Sequence, residues 1–271
     1  MKLIESKVEV IEQQPGLEGM YKQIELAGRT CYKSEDKITE DSAKEFVDRM
    51  IKSKHGAMLE HGTVYLTAYD NYAEDLLKYQ TNKYSKCKSY TEYLEDGKSI
   101  KVCVTTNLRV LVENNWLDDL KYIGVPTELH EKRITARFTC DRGVSHEIVR
   151  HRVMSFAQES TRYCNYSKDK FGNELTFIKP SWYSKTLENK HGGFERFLED
   201  SQSLYISLLD QGYLPQEARA CLPNALKTEI VVTGFESDWE HFFELRTAGA
   251  AHPDIRKLAL ELQEKLNSVN K

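Results

Sequence analysis

Residues 134–167 read ITARFTCDRGVSHEIVRHRVMSFAQESTRYCNYS, and the fold is decided within them. Ile134, Ala136, Phe138 and Cys140 alternate with other residues, which predicts a strand. Helical spacing follows at once in VSHEIVRHRV, residues 144–153. Arg150, His151 and Arg152 stand there among Ile148, Val149, Val153, Met154 and Phe156. Positive charges in so apolar a run need partners when buried. For one arginine an acidic neighbour is the ordinary answer. The cluster of Arg150, Arg152 and Arg162 beside the hydroxyls of Ser160 and Thr161 instead suits a phosphate. Guanidinium forks bind phosphate oxygens in pairs, and hydroxyls fill the remaining acceptor sites.

Outward from this segment, residues 2–11 read as a strand and 17–28 as a short helix. Ala43, Phe46, Val47, Met50 and Ile51 recur at helical spacing after the cap-like Thr39–Ser42 stretch. Val64 and Leu66 mark a strand after His61, and Lys101–Thr106 another, with a helix starting near Asn107. Later come an amphipathic helix near 193–211, a strand in TEIVVTGF, and helices over 238–248 and 253–267. These elements predict an α+β fold: a single domain over residues 1–271, with a mixed or antiparallel sheet flanked by helices. Residues 70–132, rich in Lys, Tyr, Asn and Glu, read as an enlarged insertion.

Charge and composition narrow the function. Lys and Arg total 38 against 42 Asp and Glu, a net charge of −4. Binding nucleic acid mainly through its phosphates calls for a basic surplus, so an anionic ligand must be met by a local cluster. No apolar run is long enough to span a bilayer, and MKLIESKVEVIEQQ lacks the apolar core of a signal peptide, so a cytoplasmic protein without membrane partners is expected. The six cysteines, at 31, 87, 103, 140, 164 and 221, form no CxxC and no close Cys/His pair. That argues against structural zinc and a disulfide framework, and no metal is expected.

Arg150-His151-Arg152, seven residues, Ser160, one residue and Arg162 resembles the RHR-x7-S-x-R signature of flavin-dependent thymidylate synthases. A second block agrees in order: Arg219 in EARACLPNALKTEIVVTGF, then Trp239-Glu240-His241-Phe242-Phe243 and Leu245-Arg246. A third comprises Gly28-Arg29-Thr30-Cys31, His55 and Leu59-Glu60-His61.

The resemblance implies reductive methylation of dUMP to dTMP, with 5,10-methylenetetrahydrofolate as carbon donor, reduced FAD as hydride source and NADPH as reductant. It implies a homotetramer with active sites shared between subunits. Glu147, Arg150, Gln158, Glu159, Ser160, Thr161 and Arg162 would form the dUMP wall, met by Arg219 and Arg246 from the C-terminal half. His55, Ala57, Glu60, Arg150, His151, Arg152, Gln158 and His241 would contact FAD, with the Phe235–Ser237 turn close by. Arg246 would stabilise negative charge at the uracil edge, in the manner of an oxyanion hole, while Arg219 and Arg162 hold phosphate. Ser160 has no evident histidine base, so it is expected to position substrate and not to attack it.

Some positions depart from the family pattern. Glu147 stands where glutamine is familiar and Gln158 where glutamate is. Phe235 and Ser237 replace an Asn and an Arg, and Ala250 occupies a histidine position with His252 just beyond it. Bland readings stand beside these roles: structural histidines at 55, 61 and 241, an exposed acid at Glu60, core aromatics at Trp239, Phe242 and Phe243, and packing thiols at Cys31 and Cys164. Two other classes of function stay open: a non-catalytic nucleotide-binding protein that has lost flavin, and an RNA-binding module drawing on Lys78–Tyr93.

Overall fold

The alternating residues 134–140 lie within strand β6, Arg133–Asp141, at the middle of an antiparallel sheet. In the computed structural model, which describes residues 1–94, 97–168, 171–184 and 193–269, β6 pairs along its whole length with β9, Lys227–Phe235. The sheet order is β2-β6-β9-β7, with β2 at Lys7–Ile11 and β7 at Ser155–Gln158. Buried Ala136, Phe138 and Cys140 pack with Ile230 and Val232 against two helices numbered here α9, Glu236–Arg246, and α10, Pro253–Val269. Trp239 and Phe242 of α9 lie in that core, in accord with their reading as packing aromatics, and Trp239 Nε1 donates to the Ile134 carbonyl at 3.1 Å.

The chain is α+β, but its strands make three sheets where one was expected. The expected strand over 2–11 is two: β1, Lys2–Ile4, runs parallel to β8, Thr176–Ile178, whereas β2 joins β6. Both surviving sheets of more than two strands are antiparallel. The third sheet has order β3-β5-β4, from Thr63–Tyr69, Gly97–Asn107 and Lys86–Leu94. Residues 70–132 therefore build two of its three strands. Strand β4 was not legible because it is an edge strand with exposed Lys86, Lys88, Ser89 and Tyr90, and so carries no alternating apolar signal. Helix α5, Leu108–Asn114, begins as expected, with Asn107 Oδ1 accepting from Val110 N.

Helix α1, Gly16–Tyr32, packs on α2, Ser42–Lys52, on the short α3, Gly56–Leu59, and on the three-stranded sheet. Ser42, expected among cap residues, donates its hydroxyl to Glu25 of α1 while accepting from Thr39 N. Gly62 allows the closest approach of α1 to the 55–62 segment, because a Cβ there would lie 2.5 Å from Ile24 Cδ1 and 2.9 Å from Met20 Cγ. Both neighbours are fully buried and have little room to yield. Gly62→Ala is expected to cost about 1–3 kcal/mol through overpacking. Gly124→Ala, where nothing lies within 4 Å, should stay within about 0.5 kcal/mol of wild type. Denaturant melts of both variants check this, and equal stabilities would refute the close-packing account.

Candidate active site

Two helices that leave the central strand pair at opposite ends converge on one arginine. Helix α6, Arg142–Ile148, follows β6 directly, and α9 follows β9. Nine paired residues span roughly 30 Å, while α9 and α6 run about 16 and 10 Å, so their far ends can meet over the sheet. They do so through Arg246, whose Nη1 donates to Glu147 Oε2 at 2.6 Å and Nη2 to the Glu147 carbonyl at 2.9 Å. Its Nε donates to His151 Nε2 at 3.1 Å. His151 is buried, with its ring centroid 4.9 Å from that of Phe242 and 6.0 Å from that of His241. Burial, then the charge of Arg246, pushes the imidazole down to about 4, so it stays neutral and accepts from the arginine.

The helix expected over 144–153 stops at Ile148. Asp141 caps its start by accepting from Val144 N at 2.7 Å. After Ile148 the chain tightens through Arg150 N to Glu147 O and His151 N to Ile148 O, then turns into β7. This turn is what allows Ser155 to pair with Thr233 and Gln158 with Ile230. Arg150 and Arg152 are left exposed on it.

Strand β7 also separates what the sequence placed in one cluster. Arg150 and Arg152 precede it, whereas Ser160, Thr161 and Arg162 follow it, and its four residues alone span roughly 13 Å. The expected single cluster is therefore two groups within one chain. Ser160 N donates to the Cys31 carbonyl at 3.0 Å, which fastens the second group to the end of α1. There Arg219 Nη1 donates to Thr161 Oγ1 at 3.2 Å, and Arg162 lies 5.4 Å from the Tyr163 ring centroid. Tyr163 lies 5.6 Å from Tyr32, and the Tyr32 hydroxyl is 3.3 Å from His55 Nδ1. The structure thus joins His55 to Arg162 through two tyrosines that sequence reasoning did not select. Ala57 is exposed on the short helix that follows His55.

Gln158 and Glu147 do not form a mutual pair. Gln158 Nε2 donates to Ser145 Oγ at 2.8 Å and to Thr228 Oγ1 at 3.2 Å, whereas Glu147 turns to Arg246. Glu159 is enclosed, accepting from Tyr166 at 2.8 Å and from Lys227 at 2.9 Å. Lys227 also meets Glu229 at 2.6 Å, and Glu229 meets Lys33 at 3.1 Å. This network fixes the strand end from which the Ser160 segment departs.

A cleft of ≈ 520 Å³ opens on the other side of β7, within the range of small-molecule sites. It joins Glu60 and Arg152 with Lys83, Lys86, Arg109 and Arg133, while Met154 and Phe235 supply apolar surface. Glu60 is paired with Arg109. Arg133 donates to the Glu60 carbonyl at 2.9 Å and its Nε is buried without a partner. Burial pulls its guanidinium down to about 10, so a full positive charge still lies beneath the cleft at neutral pH. Arg133 and Lys86 both lie 5.5 Å from the Phe235 ring centroid. Sequence reading passed over Arg133 and Arg109 because they fall outside or at the edge of the motif blocks, and it weighed Lys83 and Lys86 only as part of the Lys78–Tyr93 stretch; nothing in their spacing marks them for this cleft. Ser237 turns from the cleft to Glu131, and His241 sits at the surface beside Glu244. His61 is fully buried, 2.9 Å from Thr233 Oγ1, and burial pushes it down to about 3, in line with a structural role. Among the described residues no group of three or more His, Cys, Asp or Glu is placed to hold a metal ion, and no helix is long and apolar enough to cross a membrane.

Fold and site define an α+β protein whose arginines and aromatic rings gather at surfaces suited to a phosphate-bearing ligand. The chain belongs to the thymidylate synthase complementing protein family, whose profile matches residues 75–270 and so runs through most of the 70–132 segment. A flavin-dependent thymidylate synthase of Geobacter sulfurreducens is 33% identical over 57% of this chain and 65% of its own length. One from Pyrococcus furiosus is 33% identical over 47% of this chain and 51% of its own. The matches thus span about half to two thirds of these relatives. A UMP/dUMP methylase, PolB, from Streptomyces cacaoi bound with 5-Br dUMP covers 99% of this chain and 93% of its own at 17% identity, with a TM-score of 0.46.

The Glu159–Lys227–Glu229–Lys33 network carries a pH signature. Burial opposes the charge on Glu229, but Lys227 and Lys33 prevail and hold it at about 2, below its ordinary value of 4.5. A depressed carboxylate stabilises the fold above its unfolded pKa, and that contribution is lost as pH falls through the folded one. Glu229→Gln should therefore lower the melting temperature at pH 7, and the gap to wild type should close between about pH 4.5 and 2. A gap that stays constant over that range would remove Glu229 as its source.

Proposed function

We propose that this protein is a flavin-dependent thymidylate synthase that reductively methylates dUMP to dTMP, with 5,10-methylenetetrahydrofolate as carbon donor and NADPH as reductant. The observation that carries the reading is the joint placement of the motif arginines: Arg152 on a cation-rich cleft, and Arg246 locked to the turn that bears Arg150 and His151. Family membership gives it a chemical frame.

The cleft fits a flavin dinucleotide in kind. Phe235, Met154, Val153 and Val110 offer apolar surface to a planar ring, and Lys83, Lys86, Arg152 and the half-buried Arg133 offer positive charge to a diphosphate. When bound, reduced FAD supplies the hydride. In this reading Arg152 and Glu60 hold the cofactor, joined by His151 and by His55 and Ala57 on the neighbouring surface. Arg162 and Arg219, braced by Thr161, bind the nucleotide phosphate. Arg246 presents its guanidinium to the uracil edge, where it favours negative charge developing on the ring. Ser160, its backbone tied to Cys31, orients substrate. Because β7 parts the two arginine groups, we further propose that a complete site draws them from different subunits of a homotetramer. The 271 residues would act as one cytoplasmic domain, with 70–132 enlarging the wall of the cleft.

Anaerobic turnover of dUMP with methylenetetrahydrofolate, NADPH and FAD, with product identification and light scattering on the same sample, tests this reading. Formation of dTMP by a flavin-coloured tetramer is expected, and a colourless protein that binds dUMP without turnover would favour the non-catalytic alternative. Arg246→Ala should lower dTMP formation by at least about a hundredfold while flavin is retained, the scale for loss of a positioned donor. Near-normal turnover would refute the assignment.

No cysteine is required in this route. Burial pushes Cys31 up to about 11 and raises Cys87, Cys140 and Cys221 as well, and Cys103 and Cys164 are buried. A thiol held protonated makes a poor nucleophile toward uracil. Six single Cys→Ala variants should all keep turnover within about tenfold of wild type, a spread that packing losses alone can produce. A loss of several orders of magnitude in a stable, flavin-loaded variant would point to a thiolate mechanism.

A further inference from the structure

The partner of Arg246 carries an implication of its own. Three separate donations, from Nη1, Nη2 and Nε, tie the guanidinium to Glu147 and His151. The Arg246 side chain is only 15% exposed and that of Glu147 25%. Glu147 contributes both its carboxylate and its backbone carbonyl, so the arginine is bound by this one residue at two points. His151, being neutral, leaves the charge of Arg246 uncompensated. Among the described residues, the Glu147 carboxylate is the group that cancels it.

That geometry sets a competition. A carboxylate and the carbonyl edge of a pyrimidine are both acceptors for the same guanidinium N–H groups. A ligand that uses Arg246 must displace the Glu147 carboxylate or share the arginine with it. The apparent affinity of such a ligand falls in proportion to the fraction of chains whose arginine is available. Glu147 also lines a second cleft of ≈ 310 Å³, together with Asp141, Asp254, Asn224 and His252.

We propose that Glu147 is a positioning residue that gates Arg246: its carboxylate holds the arginine in the ligand-free chain and yields it to the carbonyl edge of a pyrimidine nucleoside monophosphate. This deepens the reading of Arg246 as a nucleotide contact and rests on it. The carboxylate does two things that an amide at the same position does not. It neutralises the arginine, which lowers the attraction for any anion, and it raises the threshold that a weak acceptor must pass. The nucleotide dCMP, in which an amino donor replaces the O4 carbonyl of uracil, gains less at that edge and leaves more of the ion pair in place. Glu147 thereby lowers affinity most for the ligands that draw on Arg246.

Calorimetric titration of the flavin-loaded full chain with dUMP and with dCMP tests the proposal in wild type, Glu147→Gln, Arg246→Ala and the double variant. Glu147→Gln keeps the size and an acceptor oxygen but removes the charge. It should tighten dUMP roughly tenfold and dCMP by less, a coupling of ordinary size between two groups. In the Arg246→Ala background the same change should have no effect on either ligand, as expected when one group acts through another. Weaker dUMP binding in Glu147→Gln, the outcome of a purely structural role, would overturn the proposal. So would a gain that persists without Arg246. If Arg246→Ala binds dUMP as wild type does, the underlying reading of Arg246 fails instead, and the two failures are told apart.

Discussion

The antiparallel pairing of β6 with β9 is the constraint from which the rest of the site follows. Its register runs from Arg133 opposite Phe235 to Asp141 opposite Lys227. One end brings the half-buried Arg133 guanidinium against the Phe235 ring at the floor of the larger cleft. The other end launches α6, with Asp141 as its cap, toward the arginine-rich turn. A one-residue slip would send Ala136, Phe138 and Cys140 to the opposite face and dissolve the core beneath α9 and α10. The position of Arg246 over Glu147 depends on that core, since Trp239 and Phe242 anchor the helix that carries it.

Electrostatics at the site are local, as the small net charge requires. Arg246 is neutralised by Glu147, Arg109 by Glu60 and Glu113, and Lys227 by Glu159 and Glu229. Arg133 is different. It donates to neutral oxygens only, and its burial leaves the charge weakly solvated. A half-buried cation with one buried orphan N–H beside an open cleft is costly unless something negative visits it. Its strain-free alternative, a carboxylate partner, is absent among the described hydrogen bonds. This is the feature of the cleft that most favours an anionic occupant.

Several elements were legible in the sequence because burial on one face imposes a period. Strand β6 was marked by Ile134, Ala136, Phe138 and Cys140, and α2 by Ala43, Phe46, Val47 and Met50. The edge strand β4 was hidden because Cys87 packs against the core while Lys86, Lys88, Ser89 and Tyr90 are exposed, and one such contact imposes no period. The split of residues 2–11 between two sheets was hidden for another reason: both halves alternate alike, and only the partner strand differs. The helix end at Ile148 could not be read either, since Val149 and Val153 continue the apolar spacing while β9 demands that the chain turn and pair.

The sequence by itself determined the chemical inventory of the candidate site: the RHR-x7-S-x-R spacing, the blocks around Arg219 and Arg246, and the histidines at 55, 151 and 241. It did so because the motif's residue types and spacing can be read without knowing where the chain goes. Tertiary structure alone decided which of these groups meet. It parted Arg152 from Arg162 by the length of β7, joined Glu147 to Arg246 across 99 residues, and brought Arg133 and Lys86 from outside the motif to one aromatic ring. Contacts of that kind depend on strand register and helix length, and these are fixed only when the hydrophobic faces of distant segments bury one another.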